Sequence, residues 1–442
     1  MLRSQGKRFN SWYKIRGYIH FDRKVSKKFA FSYVTDPKKI EVHAFLPFLK
    51  YVKVTPRYKF KEHKTVDKKR PILYAGHLDS HIYAWYAQQL SEQYEKFIQK
   101  QIFNQSVLAY RSLGKSNIEF AKEVFDTIEQ RRNCNALAFD LTGFFDHIDH
   151  AKLKSAWCKV LEVSELPTDH YKVYKSITKY AYVKRDEVFN TLKITDYEAI
   201  KEKGRFCTSE EFRKHIRASG CIEKNSNDYG IPQGSPISAV LSNIYLIEFD
   251  RVMSEYALEI DGVYRRYCDD ILWICPPEKA KTIEELVHQE INRCGEALSP
   301  NSDKTERFLF QDTTEGLIVF RETNEGLIKG SPLQYLGFTF DGQQRFLRSQ
   351  TVSRYYRRMK GAVRKAGHAA CQAKDSKIHR KDIYEKYTHL GQHSFFSYAA
   401  RSSEIMDCKK IHQQVSNHWE KLHKEIKQVE MELKKILESQ SE

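Results

Sequence analysis

The segment RRYCDDILWI, Arg265 to Ile274, limits the folds open to this chain more than any other stretch. Val263 to Tyr267 and Ile271 to Cys275 are rich in β-branched and aromatic residues, which predicts two buried strands joined as a hairpin. Between them stand two adjacent carboxylates, Asp269 and Asp270. At about 4 Å and an effective dielectric near 20, such a pair repels by about 4 kcal/mol. A third carboxylate has the same setting. Asp140 follows Ala136 to Phe139 in a short apolar run, Ala136 to Leu141, that predicts another buried strand. Strand-end carboxylates brought together from positions 129 residues apart are what a two-metal site needs. Mg²⁺ takes a few carboxylates plus substrate phosphates and water, and its charge would reverse the repulsion within the acidic pair. Taken singly, each aspartate reads as a turn or cap residue. Their combination points to metal chemistry.

The rest of the composition narrows the class. A chain of 442 residues with 41% hydrophobic content is globular and long enough for two or three domains. Nine scattered cysteines without a CxxC pair argue against a zinc site and a disulfide framework, and for a reducing, cytoplasmic setting. The N-terminus lacks the apolar run of a signal peptide, and no stretch is suited to span a bilayer, so no membrane partner is expected. The net charge of +17 is unevenly placed: residues 1–70 hold 20 Lys/Arg against 5 Asp/Glu, and residues 351–400 hold 11 against 3. Two basic blocks suit a polyanion. Aromatics interleave with the charge in FNSWYKIRGYIHFDRKVSKKFAFSY, a pattern that favours single strands and RNA over lipid. Lys24, Lys27 and Lys28 in the first block, and Arg354, Arg357 and Arg358 in the second, are the expected backbone contacts.

Periodicity predicts helices over 78–130, a helix from Pro236 to Leu258, an amphipathic helix in TIEELVHQEINRCGEAL, a short strand from Gln334 to Phe340, and helix from 352 to the end. Residues 1–70 read as irregular to β-rich. Trp419, Leu422, Ile426, Val429, Leu433 and Ile436 form an a/d seam, read as packing within its own domain in preference to an oligomer contact.

In chain order, KRPILYAGHLDSHI, YRSLGKS, FDLTGFF, GIPQGSPISAVLSNIYLIEFD, YCDD, the lysine of SPNSDKTE and QYLGF resemble the motifs of reverse transcriptases, from about Lys68 to Phe340. The resemblance implies an α+β right-hand polymerase fold with fingers, a palm of antiparallel sheet plus helices, and a helical thumb. It divides the chain into a basic extension (1–67), fingers and palm (68–345, with an insertion at 150–228), and thumb and tail (346–442). It also implies a cofactor of two Mg²⁺ ions, with Mn²⁺ as a substitute, and the partners RNA, deoxynucleotides and the DNA product.

Roles follow by motif. Asp140 and Asp269 would bind metal directly with the Leu141 carbonyl, and Asp270 would complete the acidic cluster. Arg70, with Lys68 or Lys69, would hold the triphosphate. Phe145 would pack under the sugar and exclude a 2′-hydroxyl; without the family, Phe144 and Phe145 are both simply core. Gln233 and Gly234 would lie against the nascent base pair. Lys304 would protonate departing pyrophosphate. Tyr335, Leu336, Gly337 and Phe338 would grip the primer, and the basic helix from Arg354 would be the thumb. No RNase H domain and no nuclease tail are recognisable. The length, PQGSPIS and the helical tail look most like the defence-associated and abortive-infection enzymes of bacteria, with retron and group II intron enzymes more distant. Such an enzyme copies a cognate structured non-coding RNA; the alternatives are untemplated or protein-primed DNA synthesis, and an inert RNA-binding scaffold.

Overall fold

The computed structural model describes residues 12–59, 63–295, 298–300 and 305–439. Their strands are β1 (Phe48–Lys59), β2 (Lys64–Tyr74), β3 (Cys134–Asp140), β4 (Ala181–Lys184), β5 (Glu223–Lys224), β6 (Val263–Tyr267), β7 (Asp270–Cys275), β8 (Glu306–Thr313), β9 (Gly316–Thr323), β10 (Gly326–Lys329), β11 (Leu333–Tyr335), β12 (Phe338–Phe340) and β13 (Arg345–Leu347). With the helices between them they make an α+β chain. It divides into two compact units: Met1–Arg111, Phe139–Leu272 and Lys281–Thr305 form the first, and Ser112–Ala138, Trp273–Ala280 and Glu306–Glu442 the second.

The first unit contains a sheet of order β2-β1-β4-β5. β1 and β2 form a long antiparallel hairpin in register from Leu49↔Tyr74 to Lys59↔Lys64. β4 adds parallel to β1, and β5 antiparallel to β4. Residues 150–228 thus supply two strands of this sheet. They also supply Val183, Val188, Phe206, Phe212 and Ile216 to a core shared with Ile19, Phe21 and Leu49. The N-terminal block holds two short helices, where the sequence suggested irregular or extended chain. Ser26 caps Lys27–Val34, and Asp36 caps Pro37–Glu41. Elements of eight and five residues are too short for periodicity to show. The block is fastened to the helix His77–Ile98. Asp22 accepts from the backbone N–H groups of His77 and Leu78 at 2.8 and 2.9 Å. Buried Asp79 pairs with His43 Nε2 at 2.7 Å and accepts from the Leu46 N–H at 2.9 Å. The helix expected from Pro236 is two, Ser238–Tyr245 and Ile247–Glu259, divided at Leu246, whose ψ of 16° leaves the helical range.

In the second unit β3 pairs antiparallel with β8, β8 with β9, and β9 with β10. β11, β12 and β13 form a separate three-stranded sheet. Helix Ser349–Gln372 packs along His418–Ser439. Met359, Val363 and Ala370 of the first meet Leu422, Ile426, Val429 and Leu433 of the second in one buried cluster. The a/d seam is filled by packing inside the chain, and only its ends, Trp419 and Ile436, stay exposed, at 39% and 43%. Among the described residues no helix is long and apolar enough to cross a membrane.

Candidate active site

The predicted hairpin is present, with the second strand starting one residue earlier than expected, at Asp270. β6 ends at Tyr267, Cys268 and Asp269 make the turn, and Asp270 opens β7. Cys268 takes φ 61°, which turns the chain sharply enough to leave Asp269 half-buried and Asp270 exposed. β3 delivers Asp140 to the same place: the N–H of Leu141, the next residue, donates to the Asp269 carbonyl at 3.4 Å. Thr142 N–H donates to the Ser299 carbonyl at 3.1 Å, and Leu141 bridges Pro300. The start of SPNSDKTE is therefore laid against the Asp140 strand end. Lys304 itself lies outside the described residues.

The turn is braced from beneath. Arg266 and Asp250 are both 0% exposed and form a bidentate pair, Nε to Oδ1 at 2.7 Å and Nη2 to Oδ2 at 2.5 Å. Burial alone would lower the arginine pKa, but Asp250 outweighs it and raises it. The remaining edge of the guanidinium donates to the Cys268 carbonyl at 3.0 Å, inside the turn, and to Asn243 Oδ1 at 3.3 Å. Tyr264 donates to Asp250 at 2.7 Å. The arrangement satisfies a buried ion pair with hydrogen bonds on every side, the condition under which such a pair is tolerable. Its fixed fork holds the backbone that presents Asp269.

A second bracing segment was not legible in sequence. Residues 106–109 run parallel to the end of β6: Arg266 N–H donates to the Ser106 carbonyl at 2.8 Å and Leu108 N–H to the Arg266 carbonyl at 2.9 Å. Asn243 holds the Ala109 carbonyl at 2.8 Å. This brings Tyr110, at φ 59° and half-exposed, beside Cys268 and Asp269. Burial, followed by the neighbouring Cys268 and Asp269, raises its pKa. Burial likewise pushes the Cys268 thiol up to about 11, so it stands as a neutral wall of the turn.

Phe144 and Phe145 part company. Phe144 is 3% exposed and packs edge-on against Phe145, while Phe145 is only partly buried. The Phe145 carbonyl accepts from Ile231 N–H at 2.9 Å, and the Ile148 carbonyl from Gly230 N–H at 2.8 Å. This ties Phe145 to the segment leading into Gln233 and Gly234. The Gln233 carbonyl accepts from Leu73 N–H of β2 at 3.0 Å. Gly234 has φ 121°, and a Cβ there would stand 2.6 Å from the Leu73 carbonyl oxygen and 3.3 Å from Ile72 Cγ2. Only glycine fits this approach. Alternation along β2 puts Lys68, Arg70 and Ile72 on one face and Lys69 on the other. The first unit thus gathers Asp140, Leu141, Asp269 and Asp270 at one strand end, and Phe145, Gln233 and Gly234 along one backbone path to β2. Among the described residues no three His, Cys, Asp or Glu side chains are close enough to hold a metal by themselves. The donor set is two strand-end carboxylates and a backbone carbonyl. It suits a hard cation that completes its shell with substrate phosphate and water.

In the second unit, Gln334–Phe340 is a hairpin, not one strand: β11 and β12 pair, and Leu336 and Gly337 both take positive φ, 43° and 94°. Asn117 Nδ2 donates to the Leu336 carbonyl at 2.9 Å and to the Tyr398 hydroxyl at 3.0 Å, which fixes the tip. Tyr335 and Phe338 are buried beneath it. Arg354, Arg357 and Arg358 are exposed, opposite the buried Tyr355–Met359–Val363 stripe of their helix. Lys24, Lys27 and Lys28, in the first unit, are exposed as well.

Residues 63–340 match the family model described as reverse transcriptase (RNA-dependent DNA polymerase). No curated protein matches the sequence. Among solved structures, apo telomerase from Candida tropicalis truncated from its C-terminal domain is similar at 10% identity and a TM-score of 0.41, over 72% of this chain and 59% of that one. Telomerase from Candida albicans in complex with a TWJ fragment of telomeric RNA is similar at 11% identity and a TM-score of 0.41, over 97% of this chain and 67% of that one. Apo telomerase from Candida tropicalis gives 10% and 0.42, over 86% and 60%. The chain spans about three fifths to two thirds of the length of these structures.

Proposed function

The chain belongs to the reverse transcriptase family, and from that premise we propose that it is an RNA-directed DNA polymerase acting on deoxynucleotides. The observation that carries this reading is the backbone bond between Leu141 and Asp269, which brings two remote carboxylates to one point. Asp140, Asp269 and the Leu141 carbonyl would hold two Mg²⁺ ions, with Asp270 beside them. Bound there, the ions would supply activation of a primer 3′-hydroxyl and stabilisation of the leaving oxygen. Arg70 and Lys68 share a face and would hold the triphosphate; a guanidinium can bind phosphate oxygens bidentately. Phe145 would stack under the sugar where a 2′-hydroxyl would clash. Gln233 would meet the nascent base pair beside Gly234, and Lys304 would give its proton to pyrophosphate. The Tyr335–Phe338 hairpin would position the primer end, and the Arg354–Arg358 stripe would track the duplex backbone as part of a helical thumb.

We further infer a cytoplasmic enzyme of bacterial anti-phage defence that copies a structured non-coding RNA. The nine free cysteines suit a reducing compartment. The motifs, the PQGSPIS segment and the helical tail carry the defence assignment. The test is nucleotide incorporation by Asp269→Ala/Asp270→Ala protein alongside wild type, with RNA affinity measured in parallel. Loss of incorporation with RNA binding retained is expected; synthesis by the double variant refutes the site. Sequencing of the wild-type product against the bound RNA separates copying from untemplated addition.

A further inference from the structure

The hairpin face that carries Arg70 continues toward a cation from segment 150–228. In the β1–β2 register Lys53 lies opposite Arg70, and Tyr51 opposite Ile72. Opposed residues of an antiparallel pair share a face, as do residues two apart along a strand. Tyr51, Lys53, Lys68, Arg70 and Ile72 therefore line one surface, with the Gly234 turn against Ile72. Arg185 stacks its guanidinium over the Tyr51 ring at 5.3 Å and lies 5.9 Å from the Phe189 ring. Its Nε is buried without a hydrogen-bond partner. The nearby Glu187 is already engaged by Lys184 at 3.3 Å, and among the described residues no carboxylate pairs with Arg185. Contact with two aromatic rings limits how the guanidinium can move, and its terminal nitrogens, with no carboxylate among the described residues to engage them, can donate to a phosphate.

We propose that Arg185 is a phosphate-binding residue for the incoming nucleotide, completing with Arg70 and Lys53 a triphosphate site on this face. The inference rests on the polymerase reading for its substrate. The segment that interrupts the family motifs would then complete the nucleotide site as well as the sheet. The competing role is a staple, in which Arg185 only fastens Tyr51 to the helix Arg185–Thr191.

The test compares wild type, Arg185→Met and Arg185→Lys. Methionine keeps an apolar stem against Tyr51 and removes the charge; lysine restores the charge without the fork. Steady-state dNTP kinetics, RNA affinity and calorimetric binding of inorganic tripolyphosphate are read for each. Arg185→Met is expected to raise the dNTP KM about tenfold or more, the loss of a charged hydrogen bond, with kcat and RNA affinity nearly unchanged. Tripolyphosphate affinity should fall by the same factor, and Arg185→Lys should recover part of both. Unchanged KM and tripolyphosphate affinity would leave Arg185 a staple and overturn the proposal, as would weaker RNA binding at unchanged KM. Should Arg185→Met fail to fold, Arg185→Lys carries the test, since a staple needs only the cation and stem while bidentate binding needs the fork. If wild type incorporates nothing yet binds tripolyphosphate through Arg185, the polymerase reading fails and the phosphate site stands.

Discussion

Removing one partner of the Arg266–Asp250 pair should be among the most damaging single changes in the first unit. Both side chains are fully buried, and they exchange two hydrogen bonds at 2.7 and 2.5 Å. Arg266→Met leaves the Asp250 carboxylate buried against Tyr264 alone, and Asp250→Leu strands the guanidinium. Each should cost about 3–5 kcal/mol, the usual penalty for an uncompensated buried charge. That is about a fifth or more of the roughly 5–15 kcal/mol that holds a domain folded. Changing both removes the charge problem, so the double variant should cost far less than the sum, with a coupling of about 2 kcal/mol or more. The assay is urea unfolding of the four proteins, with hydrogen exchange over β6 to assign the loss to the first unit. A second readout separates stability from positioning. The double variant folds but no longer holds the Cys268 carbonyl, so its nucleotide incorporation should drop about tenfold or more, one charged hydrogen bond's worth. Additive costs, or a double variant with full activity, would refute the view that this pair braces the Cys268–Asp269 turn for the proposed chemistry.

Other expectations test separate parts of the account. Phe145→Ala should admit ribonucleotides, seen as a fall in the dNTP-to-rNTP preference; unchanged discrimination would remove Phe145 as the sugar gate. His20 and His81 are buried and their pKa values are lowered by burial to about 4. Below pH 6.5 the unfolded imidazoles take up protons that the folded ones refuse, so stability is fully present above that pH and is lost as pH falls toward 4. Fully buried His20 alone should account for about 3 kcal/mol; a urea midpoint that stays flat from pH 6.5 to 4 would contradict this. Neutralising Lys24, Lys27 and Lys28 together should reduce the slope of log RNA affinity against log salt by about 2–3, and an unaltered slope would assign the basic block to another partner.

Legibility in the sequence followed the length of the signal and the range over which it acts. β6 was readable to the residue and β7 to within one, its start falling at Asp270 where Ile271 was expected, because a β-branched and aromatic run flanks a polar turn. Asp140 was readable because it closes an apolar run. Phe144 and Phe145 could not be told apart from composition, since either ring fills a core equally well and only the backbone path to Ile231 exposes one of them. β4 and β5, four and two residues long, carry no periodicity, so their place beside β1 stayed hidden. The hairpin at Leu336–Gly337 was read as one strand because leucine gives no warning of a positive φ. Tyr110 escaped notice for a different reason: it reaches the Cys268–Asp269 turn through a parallel bridge to β6, and such long-range pairing leaves no local trace. The helices after Ser26 and Asp36 went unread: a basic, aromatic composition suggested irregular chain, and the local signal for each is a single cap residue at its start.

Anomalous scattering from Mn²⁺ in crystals grown with an RNA–DNA primer–template and a non-reactive deoxynucleotide tests the arrangement most directly. Two peaks roughly 3.5–4 Å apart, both within bonding distance of Asp140 and Asp269 carboxylate oxygens, are the predicted result. A bound nucleotide with no metal at either aspartate would contradict the account at its root.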